Sequence, residues 1–200
     1  MTKASLPVIL LAAGASTRMR GRDKLMEDVD GQPLLRRQTR LALSVGPVMV
    51  ALPPAPHPRY TALTGLDIAP LPIPDASEGM GASLRSAFAA LPPDTAAAMV
   101  MLTDMPDLEP SDLACLAASV DLSSETLVWR AATEDGRPGH PIIFAAALFD
   151  QLKRLSGDDG GRAVVRGAGA RVQMVPLPGQ RARLDLDTPE DWAAWRKPQR

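Results

Sequence analysis

The sequence predicts one α/β domain with a mostly parallel central sheet. Two observations carry that prediction. Short apolar runs alternate along the chain with helical patterns. The polar motifs equipped for chemistry fall where those runs end, which is the edge at which such sheets bind ligands. At 200 residues the chain suits one such domain over 1–200 and is long enough to bury a substantial core.

The first strand is Leu6–Ala13, an apolar run that stops abruptly at Gly14. A helix over Pro33–Ser44 follows, with Leu34, Leu35, Gln38, Leu41 and Ala42 on one stripe. Pro33 suits its first turn, where a missing N–H costs nothing. Further strands are expected at Val48–Leu52, Asp67–Leu71, Ala97–Leu102, Thr126–Ala132 and Val172–Leu177. Helices are expected at Gly81–Leu91, Pro110–Val120, Ala145–Leu155, Gly161–Gly167 and Pro189–Arg196, the last again opened by a proline. Pro53–Pro58 reads as an extended loop, and the 20 prolines punctuate loops throughout rather than marking a domain boundary.

Composition excludes several classes. Formal net charge is −1, so no basic excess points to nucleic acid and any cationic site is local. One cysteine, Cys115, rules out an internal disulfide and a cysteine metal site, and two histidines are too few for a zinc cluster. Cys115, beside Leu113, Ala114 and Leu116, reads as a buried small hydrophobe. No apolar run is long enough to span a membrane. Lys3 ahead of Leu6–Ala13 superficially resembles a signal peptide, but the apolar stretch is short and its Ala-Ala-Gly falls where a strand must turn, so a cytoplasmic protein is expected.

Residues 10–24, LLAAGASTRMRGRDK, carry the strongest signal. A glycine-rich turn lets backbone N–H groups approach an anion, and Arg18, Arg20, Arg22 and Lys24 supply neutralising charge. No Gly-Lys-Ser/Thr closes the loop and no G-x-G-x-x-G spacing is present, so it is neither a Walker A loop nor a dinucleotide fingerprint. In MVMLTDMPDL, Asp104 is delivered at a strand end, a natural oxygen ligand for Mg²⁺; the competing role of helix cap suits Asp107 or Ser111 better. In LDLDTPEDW, Asp185 and Asp187 alternate with apolar residues, so on a strand both carboxylates share a face, an arrangement suited to a cation. Thr188 is placed to cap the helix that Pro189 opens, and Trp192 and Trp195 to pack it. In EGMGASLRSAF, Ser83 and Arg85 are expected in a helix's first turn. In RPGHPIIF, His140 sits between Gly139 and Pro141 with its backbone constrained, and GDDGGR places Arg162 to meet an anion.

Taken in order, LLAAGASTRMRGRDK, GMGASLR, LTDMP, RPGHP, GDDGGR and LDLDTPEDW resemble the MobA-like nucleotidyltransferases, nearest to the molybdenum cofactor cytidylyltransferases, over roughly Leu6 to Trp195. The resemblance implies a Rossmann-like three-layer fold of the nucleotide-diphospho-sugar transferase type, bound Mg²⁺, and transfer of CMP from CTP to a molybdopterin-type cofactor with release of pyrophosphate. It implies nucleotide binding by Leu11, Ala12, Ala13, Gly14, Arg18, Lys24 and Ser83, and catalytic roles for Arg18, Lys24 and Asp104. It further implies metal binding by Asp104, Asp185 and Asp187, and acceptor binding by Gly139, His140 and Arg162. Ala-Ala-Gly at 12–14, where guanylyl-transferring relatives carry Ala-Gly-Gly, points to CTP over GTP. Arg20 stands where the family has glycine, with Gly21 one residue later, so the loop reads as one residue longer. Alternatives are GTP, a different phosphorylated acceptor such as phospholactate or a sugar phosphate, or a non-catalytic cofactor carrier for a molybdenum hydroxylase, which on either reading is a transient partner.

Overall fold

The computed structural model describes residues 6–157 and 160–197. In chain order the elements are β1 (Val8–Leu11), β2 (Asp28–Val29), β3 (Gln32–Pro33), α1 (Leu34–Leu43), β4 (Val48–Leu52), α2 (Pro58–Ala62), β5 (Ile68–Pro72), α3 (Met80–Ala89), β6 (Ala97–Leu102), α4 (Pro110–Ala118), β7 (Val128–Ala132), β8 (Pro138–Ala145), α5 (Phe149–Leu152), α6 (Arg162–Ala168), β9 (Val172–Pro176) and α7 (Pro189–Trp195). A seven-stranded sheet has the order β5-β4-β1-β6-β8-β7-β9, and β2 and β3 form a small hairpin. β1 pairs in parallel with β4 and β6, as do β4 with β5 and β7 with β9; β8 is antiparallel to both β6 and β7.

The central strands β1, β4 and β6 are buried on both faces, which is why they read as continuous apolar runs, while the edge strands β5 and β9 are largely exposed. Val8 and Leu10 of β1, with Met99 and Met101 of β6, pack among Leu34 and Leu35 of α1, Leu113 and Leu116 of α4, and Trp192 of α7. Ile9, Ala98 and Val100 face the other way, against Leu84 and Phe88 of α3, Phe149 and Leu152 of α5 and Val164 of α6. The result is a three-layer α/β architecture. The α1 stripe is buried as its spacing predicts, and Gln38 within it donates from Nε2 to the Met105 carbonyl at 3.0 Å, supporting the loop after β6 from below. Arg37 adds a bond to the Pro106 carbonyl at 2.5 Å.

Several sequence expectations are corrected. Pro138–Ala145 is a strand, and the helix expected over Ala145–Leu155 shrinks to a 3₁₀ turn at Ala146–Leu148 followed by α5. Leu184–Asp187 has no regular secondary structure and belongs to no strand. Pro33 lies at the N-cap of α1 rather than in its first turn. Cys115 is exposed, because Leu113 and Leu116 set the buried face of α4 and Cys115 points away from both. The N-cap position of α4 is Glu109, whose N–H donates to the Asp112 carboxylate at 2.9 Å, and not Asp107 or Ser111. Asp107 instead accepts the indole N–H of Trp195 at 2.7 Å. Thr188 caps α7 as expected: its hydroxyl accepts from the Asp191 N–H while Asp191 accepts from the Thr188 N–H.

Candidate active site

The carboxyl ends of β1 and β6 lie side by side at the centre of the sheet, joined where the Thr103 hydroxyl donates to the Leu11 carbonyl at 2.8 Å. From β1 the chain enters the Gly14–Arg22 loop. Ser16 and Arg20 adopt left-handed backbone conformations, and Gly21 follows at φ 89°. Arg20 thus takes the tight conformation without being glycine. Lys24 still reaches the far carboxylates.

Lys24 is the hub of the site. Its Nζ donates to Asp104 Oδ2 at 2.5 Å and to Asp187 Oδ1 at 2.7 Å. Burial alone would lower its pKa, but the charges and hydrogen bonds of Asp104 and Asp187 raise it above the usual lysine range. Arg18 reaches Asp187 Oδ2 at 2.8 Å with 67% of its side chain exposed. Arg20 pairs with Glu190 and Arg22 with Glu27. Every cation of the loop thus meets a carboxylate.

Asp104, Asp185 and Asp187 offer carboxylate oxygens all within 4.8 Å of one another. Asp187 and Asp185 arrive on the segment before α7, where the Leu186 N–H donates to the Asp104 carbonyl at 3.0 Å and buries the leucine between them. Asp185 and Asp187 thus reach the same cluster on either side of the buried Leu186 without a strand. Burial, then the hydrogen bond and charge of Asp187 and the charge of Asp104, raise the Asp185 pKa. Burial pushes Asp187 up too, but Lys24, Asp185 and Arg18 hold it below the usual carboxylate range. Asp104 Oδ1 is buried without a hydrogen-bond partner. An unmatched buried acceptor costs about 1–3 kcal/mol. An orphaned oxygen within a hard-oxygen cluster fits a small divalent cation such as Mg²⁺.

The loop also lines a cavity of about 360 Å³, together with Pro53, His57 and Arg59; Arg18, Lys24 and the three aspartates are not in its lining. Its wall depends on Arg59, which is 1% exposed. Arg59 grips Asp23 with Nε at 2.8 Å and Nη2 at 2.7 Å, and donates to the Ala12 carbonyl at 2.6 Å and the Ser16 hydroxyl at 3.2 Å. Burial pushes the Asp23 carboxyl up, yet the bond and charge of Arg59, with the Leu25 N–H and the Ser16 hydroxyl, bring it below its ordinary value. The loop is thereby fastened to β1 and to α2 at once. Arg59, Asp23 and His57 were not singled out from sequence. Arg59 follows a proline-rich loop and no spacing marks it.

Ala13 and Gly14 line the cavity, whereas Leu11 and Ala12 do not: their carbonyls are occupied by Thr103 and Arg59. Ser83 is buried in α3 and does not line it either. Arg85 lies in the second turn of α3, bound to the Leu155 carbonyl and Glu78. Gly139 and His140 lie on β8, and Arg162 is the first residue of α6. Asp158 and Asp159 of the GDDGGR motif lie outside the described residues.

Comparison with known proteins agrees with this architecture. The chain is 28% identical over 190 residues, 92% of its length and 95% of the relative's, to a probable molybdenum cofactor guanylyltransferase of Synechococcus elongatus. The crystal structure of Rv0371c from Mycobacterium tuberculosis H37Rv superposes with a TM-score of 0.82 at 28% identity, covering 97% of this chain and 98% of that one. The manganese complex of Rv0371c superposes with a TM-score of 0.76 at 25% identity, covering 95% and 97%. Residues 8–174 match the model of the MobA-like NTP transferase domain, and the chain belongs to that family.

Proposed function

We propose that this protein transfers a nucleotide from a nucleoside triphosphate to the phosphate of a molybdopterin-type cofactor, releasing pyrophosphate. The observation that carries the reading is the convergence of Asp104, Asp185 and Asp187 with Lys24 and Arg18, two cations of the loop segment whose other residues line the cavity. The acceptor is named by the family resemblance and the Synechococcus relative. The cavity takes the nucleoside triphosphate, with Ala13 and Gly14 against it. An acceptor phosphate oxygen forms a bond to the α-phosphorus, and the bond from that phosphorus to the pyrophosphate oxygen breaks. The attacking oxygen is already ionised near neutral pH, so no strong general base is needed. Arg18 and Lys24 neutralise phosphate charge and fix its position. Asp104, Asp185 and Asp187 would hold a divalent metal, Mg²⁺ on this reading, which when bound supplies further charge neutralisation; the manganese-bound neighbour agrees with a divalent ion.

Two bases compete. Ala13 in the cavity wall favours CTP, since a methyl group there narrows the space that glycine leaves to a purine. The name of the Synechococcus relative favours GTP. One methyl is worth only ~1–3 kcal/mol of discrimination. The test is pyrophosphate release with molybdopterin under steady-state competition between CTP and GTP. Preference for CTP, relaxed toward GTP in Ala13→Gly, supports the cytidylyl reading, and preference for GTP in the unmodified protein removes it. Release with neither nucleotide removes the proposed reaction and leaves transfer to another phosphorylated acceptor, which an acceptor screen detects, or cofactor carriage. No helix among the described residues is long and apolar enough to cross a membrane, and the reading places a single-domain enzyme in the cytoplasm, supplying a molybdenum hydroxylase.

A further inference from the structure

A second group of cations gathers at the same sheet edge, outside the phosphate loop. Val100 of β6 pairs with Ile142 of β8, and two residues further along each strand stand Leu102 and His140, so His140 lies at the edge that bears Asp104. Alternation from Val128 and Ile142 places Arg130 and His140 on one sheet face. Against that face packs α6, headed by Arg162, through Val164 and Ala168.

The backbone draws these groups together. Arg130 Nε donates to the Gly139 carbonyl at 2.9 Å, and Arg183 Nη1 donates to the Pro138 carbonyl at 3.1 Å. The His140 N–H donates to the Ala182 carbonyl at 2.8 Å, and Gly139 lies so close that a Cβ there would collide with the same carbonyl. Only glycine admits this approach, which brings Arg183 over Pro138–His140.

The cluster is electrostatically unsatisfied. His140 Nδ1 is buried without a hydrogen-bond partner. Burial first, then the charges of Arg130 and Arg162, push the His140 pKa down to about 4. Burial and the charges of Arg162 and Arg183 lower that of Arg130. Among the described residues none of the three arginines forms an ion pair with a carboxylate. Mutually repelling cations around an unpartnered buried nitrogen are relieved by an anion that takes hydrogen bonds from several of them.

We propose that Arg130, Arg162, Arg183 and His140 form a second oxyanion subsite, separate from the Gly14–Arg22 loop, that holds a doubly charged oxyanion group of the acceptor. It rests on the nucleotidyltransferase reading for the word acceptor. To His140 and Arg162, which the resemblance already implies for the acceptor, it adds Arg130 and Arg183, which sequence patterns did not mark, and it assigns the group they hold as an oxyanion.

The two histidines make the test direct, because His57 lines the nucleotide cavity and His140 lies in the proposed subsite. Histidine ring signals of the selectively labelled protein, assigned with His57→Asn, report each place separately. Inorganic phosphate is titrated in with Mg²⁺ and saturating CTP or GTP present. The expected result is a saturable shift of the His140 signal, with affinity falling at least tenfold in Arg162→Gln and in Arg130→Gln. The exposed Arg162 allows its variant to fold even where Arg130→Gln does not. Phosphate that shifts only His57, or a His140 shift unchanged in Arg162→Gln, overturns the subsite and leaves three solvated arginines. If the nucleotide fails to shift His57, the nucleotide reading falls, while the His140 response still decides the subsite.

Discussion

Replacing Arg59 by methionine tests whether the phosphate loop is held by one buried guanidinium. Arg59→Met keeps the aliphatic stem but removes the bonds to Asp23, Ala12 and Ser16. Breaking a buried pair by removing one partner costs about 3–5 kcal/mol. The Asp23 side chain keeps 23% of its exposure, so water recovers part of its solvation and about 2–3 kcal/mol is expected. At roughly 2–4 °C per kcal/mol for a chain of this size, the melting temperature falls by about 4–12 °C. Arg59→Lys recovers little, because an ammonium cannot grip a carboxylate with two parallel donors. The pH dependence carries a sign. The Asp23 pKa is depressed in the folded protein, so its stabilisation is full above the ordinary aspartate pKa near ~4 and is lost as pH falls through the folded value. Arg59→Met loses that acid-side slope. Urea unfolding of wild type, Arg59→Met, Asp23→Leu and the double variant at pH 7 and below 4 measures both effects. Additive losses from the two single changes, or an unchanged acid slope in Arg59→Met, refute the reasoning.

Asp104→Asn leaves the fold intact but lowers pyrophosphate release at least a hundredfold; near-normal turnover by the folded variant removes Asp104 from the metal set. Arg18→Ala lowers kcat/KM by about tenfold to a hundredfold, the worth of a charge-assisted hydrogen bond of ~1.5–3 kcal/mol, with unfolding midpoints moved little because the side chain is 67% exposed. Unchanged kcat/KM makes Arg18 a surface cation. Gly139→Ala forces a methyl onto the Ala182 carbonyl and destabilises the protein by about 1–3 kcal/mol, an overpacking cost; a melting temperature equal to wild type contradicts the close approach.

The parallel half of the fold is legible because a strand buried on both faces must be apolar at every position, as Val8–Leu11, Val48–Leu52 and Ala97–Leu102 are. β8 is hidden by its own chemistry. Its first residues, Pro138, Gly139 and His140, carry turn-like signals, and its place between β6 and β7 is fixed by antiparallel partners distant in sequence. The carboxylate cluster is legible because alternation across Leu186 sets Asp185 and Asp187 on one side whether or not a strand forms. Arg59 is invisible because its partners, Ala12, Ser16 and Asp23, are brought to it only by the finished loop. Cys115 misleads because apolar neighbours in sequence occupy a different side of a helix.

The bond from Lys24 to Asp187 spans 163 residues. All strands of the sheet precede Pro176, while Asp185 and Asp187 come after it. During synthesis from the N-terminus the lysine therefore waits for nearly the whole chain before its second carboxylate exists. The scaffold can be laid down first, and catalytic competence arrives last, with the segment that brings Asp187 to Lys24. A ribosome that stalls or a protease that clips between Pro176 and Asp185 leaves every strand in the product but strips the centre of two of its three carboxylates. The three-carboxylate cluster is therefore complete only in a chain made as far as Asp187.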